Sequence, residues 1–180
     1  MSFGERRLSR CSARSVGQGR AVDDVTIVRA VHVLSVVLWI GGVGFVTTVI
    51  LPAVRRLKAA EDRLTFFDTF ERRFAWQARI ATLFTRLTGL HMVFRLDLWD
   101  RFLSASFWWM HAMVLVWLLF TLMLFVAEPL FLHRWLVAGA HAEPEATFRL
   151  IERLHWFLLT LSVVTILGAV AGSHGFPIFE

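Results

Sequence analysis

The chain contains no tyrosine, 1 cysteine and 4 prolines in 180 residues. A lone cysteine, Cys11, excludes an internal disulfide, a paired-cysteine metal clamp and the two-thiol attachment of covalent haem. Without tyrosine, the aromatic anchors of a membrane–water interface must be tryptophans, and there are 8. Trp76, Trp99, Trp108, Trp135 and Trp156 fall near expected helix ends. Acidic residues are in the minority, 14 against 19 Lys and Arg, for a net charge of +5. No basic stripe is interleaved with aromatics, so the excess points to anionic lipid and cytoplasmic loops, and away from nucleic acid.

What the chain has is apolar length. Hydrophobic residues make up 57% of it, above the ~45–50% of ordinary soluble domains. They gather in four blocks, about 25–51, 74–96, 107–131 and 154–172. Each approaches the ~20 residues that cross ~30 Å of hydrocarbon. The expected fold is therefore all-α, an integral membrane up-and-down bundle of four transmembrane helices embedded in the lipid bilayer. Residues 1–24, rich in Arg, Ser and Gly without an apolar run, read as a disordered basic tail. Near 60–73, charges alternate with Leu64, Phe66, Phe67 and Phe70, the pattern of an interfacial amphipathic helix. Excluding the tail, Lys and Arg concentrate in the first and third connectors, which places those in the cytoplasm and both termini outside.

Histidine depth carries the functional reading. His32 lies early in the first block, His91 late in the second, His111 early in the third, and His174 closes the fourth. In antiparallel helices these all fall towards one membrane face. His32, His91 and His111 share a level roughly 8–10 Å below the surface at 1.5 Å per residue. An ionisable residue in hydrocarbon is a functional candidate because lipid offers its ring nitrogens no partner. The plainer alternative is that each ring separately bonds a backbone carbonyl or reaches the interface. His133 and His141 sit in a polar connector and read as solvated, and His155 lies at the opposite end.

Imidazole suits haem iron, copper or zinc. Histidines on diagonal helices could hold a b-type haem, with Gly41, Gly42, Gly44 and Gly89 making room for it or simply allowing close helix packing. His32 and His111 are the first ligand pair, with His91 as substitute and His174 as a further metal ligand. Arg86 falls near the centre of its helix and is expected to face inward, towards a propionate, a carboxylate or a quinone oxygen. Arg79 either snorkels or pairs with Glu128. Met92, Met110 and Met113 beside His91 and His111 would serve Cu(I) as thioether ligands, or fill space.

The run His32-Val-Leu-Ser-Val-Val-Leu-Trp39-Ile-Gly41-Gly42, followed by Leu51-Pro52, resembles the first helix of the copper-resistance CopD proteins and of HemJ-type protoporphyrinogen oxidases. Trp109-Met110-His111 extends the likeness to the third helix. The resemblance implies a bacterial inner-membrane protein. On the HemJ side it implies b-type haem at His32 and His111 and a haem-dependent membrane oxidoreductase; on the CopD side, copper transport. Thr48 and Met113 stand where the HemJ pattern has an arginine and a lysine, which counts against that enzyme. Three functions follow: a haem-b redox or electron-transfer protein working with quinone or a periplasmic redox partner, a copper-handling protein with a periplasmic copper partner, or a non-catalytic subunit of an oligomer or larger membrane complex. Four crossings require that reporter fusions at the C-terminus and in the Arg55–Arg73 connector give opposite signals; matching signals would remove the shared level of the histidines.

Overall fold

The computed structural model describes residues 3–56, 60–132 and 143–175, so His133, His141 and Trp135 lie outside the described residues. Among the described residues, helix is the only regular structure. The elements are α1 (Phe3–Phe45), a π-helical stretch (Val46–Ile50), α2 (Leu51–Val54), α3 (Ala60–Arg95), α4 (Trp108–Leu122), a second π stretch (Met123–Leu132) and α5 (Pro144–Ser173). Two short 3₁₀ turns, Trp99–Leu103 and Ala105–Phe107, connect α3 to α4.

Among the described residues, three stretches are long and apolar enough to cross a membrane: Asp24–Val54, Ala105–Glu128 and Glu145–Ser173. Their outward faces carry large apolar side chains such as Leu34, Leu38, Leu115, Leu122, Val164 and Leu167. So much exposed apolar surface would be untenable in water and is suited to lipid.

Element boundaries differ from the sequence pattern in ways the chain explains. α1 runs unbroken through the basic segment set apart as a tail, because a helix nucleated further along propagates at low cost through residues that permit it. The expected interfacial helix and second span are one helix, α3, since no Pro or Gly occurs between Ala60 and Gly89. It ends at Arg95, and the φ of 49° at Asp97 then turns the chain out of the helix. α5 begins ten residues before the apolar block, at Pro144, a residue suited to the first helical turn. The first block also continues past Pro52. The π stretch just before it re-pairs the backbone, with the Leu51 N–H donating to the Val46 carbonyl.

Packing follows the small residues. Ala75, Ala78, Ala81, Thr82 and Thr85 form the buried face of α3 and let it lie close against α1. The two run antiparallel: His32 meets Thr85 and Thr88, while Gly42 meets Phe74. α5 lies antiparallel to α4, where Trp108 covers Gly168 and Trp109 covers Gly172. Trp39 and Phe120 join α1 to α4 through an edge-to-face contact at 4.8 Å. Gly44 faces Leu159 of α5 at ordinary contact distance. Buried hydroxyls return their hydrogen bond to their own helix, as Ser35 does to Val31, Thr47 to Val43, Thr85 to Ala81 and Ser162 to Leu158.

A side chain at Gly42 would collide with the Phe74 ring, whereas Gly41 next to it opens onto free space. Gly42→Val should therefore cost about 1–3 kcal/mol and lower the melting temperature of the detergent-solubilised protein. Gly41→Val should leave it unchanged.

Candidate functional site

The four histidines expected at one face do lie at one end of the helices, but they do not converge. His32 sits on α1 with its ring edge over Gly89, where an added Cβ would lie 3.3 Å from it. Its Nδ1 is 3.1 Å from the Thr85 carbonyl and 3.0 Å from the Thr88 hydroxyl. A carbonyl only accepts, so Nδ1 carries the proton. The Thr88 hydroxyl donates its own hydrogen to the Phe84 carbonyl and accepts from the ring. This network fixes the tautomer and leaves Nε2 as a bare lone pair, with no partner among the described residues. An imidazole whose other nitrogen is tied to a carbonyl has the arrangement usual for metal-binding histidines.

His111 is placed differently. It is exposed, its Nε2 donates to the Phe102 carbonyl at 3.0 Å, and its ring packs edge-on against Phe102. The neighbouring Trp109 and Met110 take the buried positions, which turns His111 away from α1. His174 caps α5, with Nδ1 on the Val170 carbonyl at 2.8 Å. His91 is exposed, two residues beyond Gly89. The carbonyl bond foreseen as the plainer role of these rings is thus present on one nitrogen of His32, His111 and His174. Among the described residues, no group of three His, Cys, Asp or Glu is placed to hold a metal ion.

The glycines do not line a cradle. Phe74 fills the space at Gly42, Leu159 that at Gly44, and His32 that at Gly89. Arg86, expected inside, lies on the outer surface with its guanidinium carbon 4.4 Å from the centre of the Trp117 ring. The inward positions of that part of α3 belong to Thr82, Thr85 and Gly89, so residue 86 emerges on the other side.

The opposite end of the helices holds a second polar cluster. Arg79 bonds Glu128 at 3.2 Å, the pairing weighed from sequence, and its Nε donates to the Leu124 carbonyl at 3.0 Å. The second bond has a reason in the backbone. In a π-helix the Leu124 carbonyl would be served by the N–H of residue 129, which is a proline and has none. Arg79 supplies the missing donor. Nearby are Arg55–Glu152 at 3.5 Å and Arg63–Glu145 at 2.7 Å. His155, also in α5, is buried and donates from Nδ1 to the Ile151 carbonyl at 2.9 Å. It lines a small cavity of about 30 Å³ with Val43, Ala78, Phe120 and Leu158.

The sequence reading missed Thr85 and Thr88 as the holders of His32, although Thr-x-x-Thr-Gly opposite a histidine in antiparallel register was a usable signal. It missed the Leu124 role of Arg79 because a π-helix has no sequence signature beyond the proline. Removing Arg79 takes the ion pair from Glu128 and the side-chain donor from the Leu124 carbonyl. Arg79→Leu should cost about 2 kcal/mol or more, short of the 3–5 of a fully buried pair, since the two side chains keep 26% and 22% of their exposure. Arg79→Leu combined with Glu128→Leu should recover the greater part in thermal unfolding; equal loss in the double variant would show that the pair is not the source.

Comparison of the chain with protein-family models, with curated proteins and with solved structures returns no match in any of the three.

Proposed function

We propose that this chain is an integral membrane protein that crosses the bilayer four times and binds one redox-active metal group through His32. The fourth crossing is α3. Its charge is too high for composition alone to mark it, but its outward face carries Ile80, Leu83, Phe84, Leu87 and Leu90, all exposed and apolar. Its inward face packs along α1, and α1 is itself long enough to span. A helix lying along a spanning helix over that length would cross with it, giving an up-and-down bundle.

The observation that carries the metal reading is the fixed tautomer of His32. Thr85 and Thr88 hold Nδ1–H and leave Nε2 available as a ligand. The first group proposed is b-type haem, whose iron would take His32 Nε2 and supply one-electron chemistry. His111 as the second axial ligand would have to leave the Phe102 carbonyl. Among the described residues, Gly42, Gly44 and Gly89, expected to make room for the macrocycle, face the side chains of Phe74, Leu159 and His32. The small cavity of about 30 Å³ lies at the opposite end, beside His155, and Gly41 faces outward. No step of a reaction is therefore assigned to haem. The residues themselves orient one half-buried imidazole through its Nδ1–H.

Copper is the second reading, favoured by Met92. It lies one helical turn from Thr88 and Gly89, the residues against His32, and needs no macrocycle-sized space. Thioether and imidazole together suit Cu(I). The likeness to CopD and HemJ proteins agrees with either metal.

Visible spectra of the protein purified from haem-replete cells, oxidised and dithionite-reduced, decide between them. Haem binding gives a Soret band and α and β bands on reduction, lost in His32→Ala and kept in His155→Ala. A colourless protein with stoichiometric copper, lost in His32→Ala, gives the site to copper. Absence of both metals refutes the proposal and leaves a non-catalytic membrane subunit.

A further inference from the structure

We infer that Arg86 and Trp117 form a docking point for the carboxylate of a transmembrane helix of a different protein, an inference that rests on α3 crossing the bilayer as proposed above. Arg86 is exposed, and its one described contact is the face of Trp117, 4.4 Å from the ring centre. No hydrogen bond or ion pair joins it to any described residue. A guanidinium stays charged under all ordinary conditions and carries five donors. A ring face attracts the charge but accepts none of those hydrogen bonds in the way a carboxylate does.

Depth narrows the partner. Arg86 lies nine residues before the end of α3 at Arg95, and Trp117 nine residues after the start of α4 at Trp108. At 1.5 Å per residue both are roughly 14 Å from that end of their helices, near the middle of the hydrocarbon. Trp117 is held there by its Nε1–H, which donates to the Thr82 carbonyl at 3.2 Å. Arg86, stacked on that ring, is directed across to α4 instead of up to the interface. A phospholipid phosphate at the surface is out of its reach.

The same helix shows how this fold compensates an intramembrane arginine. Arg79, two turns earlier, has Glu128 and a backbone carbonyl. Among the described residues no carboxylate meets Arg86, and none of those in a second copy stands at that level. Glu128 already serves Arg79, while Asp97 and Asp100 lie beyond the end of α3. The missing acid therefore belongs to another membrane protein. Around Arg86, Leu83, Leu90 and Met113 present exposed apolar side chains against which a helix with one central Asp or Glu could pack.

The test uses the full-length chain in phosphatidylcholine vesicles with a dansyl-labelled Leu/Ala transmembrane peptide bearing one central Asp, beside the Asn version. Energy transfer from the chain's tryptophans reads association, above about pH 8 so that the aspartate ionises despite desolvation. The Asp peptide should bind about tenfold more tightly than the Asn peptide, a difference of 1.4 kcal/mol. Arg86→Gln should abolish the difference and Arg86→Lys keep part of it. Equal binding of the two peptides overturns the inference. So does haem binding that depends on Arg86 without Asp/Asn discrimination, which would assign the guanidinium to a propionate. Labelling of Arg86→Cys by a membrane-impermeant maleimide separates the failures. A shielded cysteine upholds the crossing, whereas a labelled one refutes the crossing of α3 and the inference with it.

Discussion

The close approach of α3 to α1 is the constraint on which the other contacts depend. Ala75, Ala78, Ala81, Thr82 and Thr85 keep one face of α3 small, so that α1 can lie against it. That approach brings His32 within reach of a backbone carbonyl on its neighbour, which a leucine at residue 85 or 89 would block. It also lets Phe74 enter the space beside Gly42 and buries Trp39 to 3% exposure at the point where α1 meets α4. In lipid there is no hydrophobic gain from joining two apolar helices, so contact of this kind, and the polar bonds it permits, must supply the association.

Backbone and hydroxyl accounting governs the rest. Hydrocarbon offers no water to an unsatisfied group, and most buried hydroxyls solve this locally by bonding the carbonyl one turn back. Prolines inside a helical run pose a harder problem, and Pro52 and Pro129 receive different answers. At Pro52 the helix widens and the backbone re-pairs itself. At Pro129 the widened stretch still leaves the Leu124 carbonyl short of a donor, and an arginine from α3 provides it. One ionic side chain thereby does two jobs, neutralising Glu128 and completing the backbone. Among the described residues, the accounting stays open at Trp39 Nε1 and Thr82 Oγ1, both buried without a hydrogen-bond partner.

Charge on α3 is asymmetric for a related reason. Arg79 and Arg86 are seven residues apart, close to two full turns, yet the carboxylate that meets the first has no counterpart for the second among the described residues. Two turns carry residue 86 slightly around the helix, from the α4 contact onto its outer edge. The polar cluster at the connector end is thus closed within the chain, while the tryptophan-backed arginine is left facing outward.

Composition and periodicity were enough to determine an apolar, helical, membrane-suited chain, the positions of its long apolar blocks, the end of the helices at which His32, His91, His111 and His174 lie, and Glu128 as one of two partners open to Arg79, the other being the interface. These depend on segment length, direction and charge, which are written along one dimension. Which way each ring turns was decided only by the tertiary structure. His32 faces α3 because Gly89 leaves room for it, and His111 faces Phe102 because Trp109 and Met110 occupy the inward positions of α4. Arg86 points outward because Thr82 and Thr85 fill the seam. Shared depth can be counted from residue numbers, but convergence on a site depends on helix rotation, and rotation is set by which small residues let another helix approach.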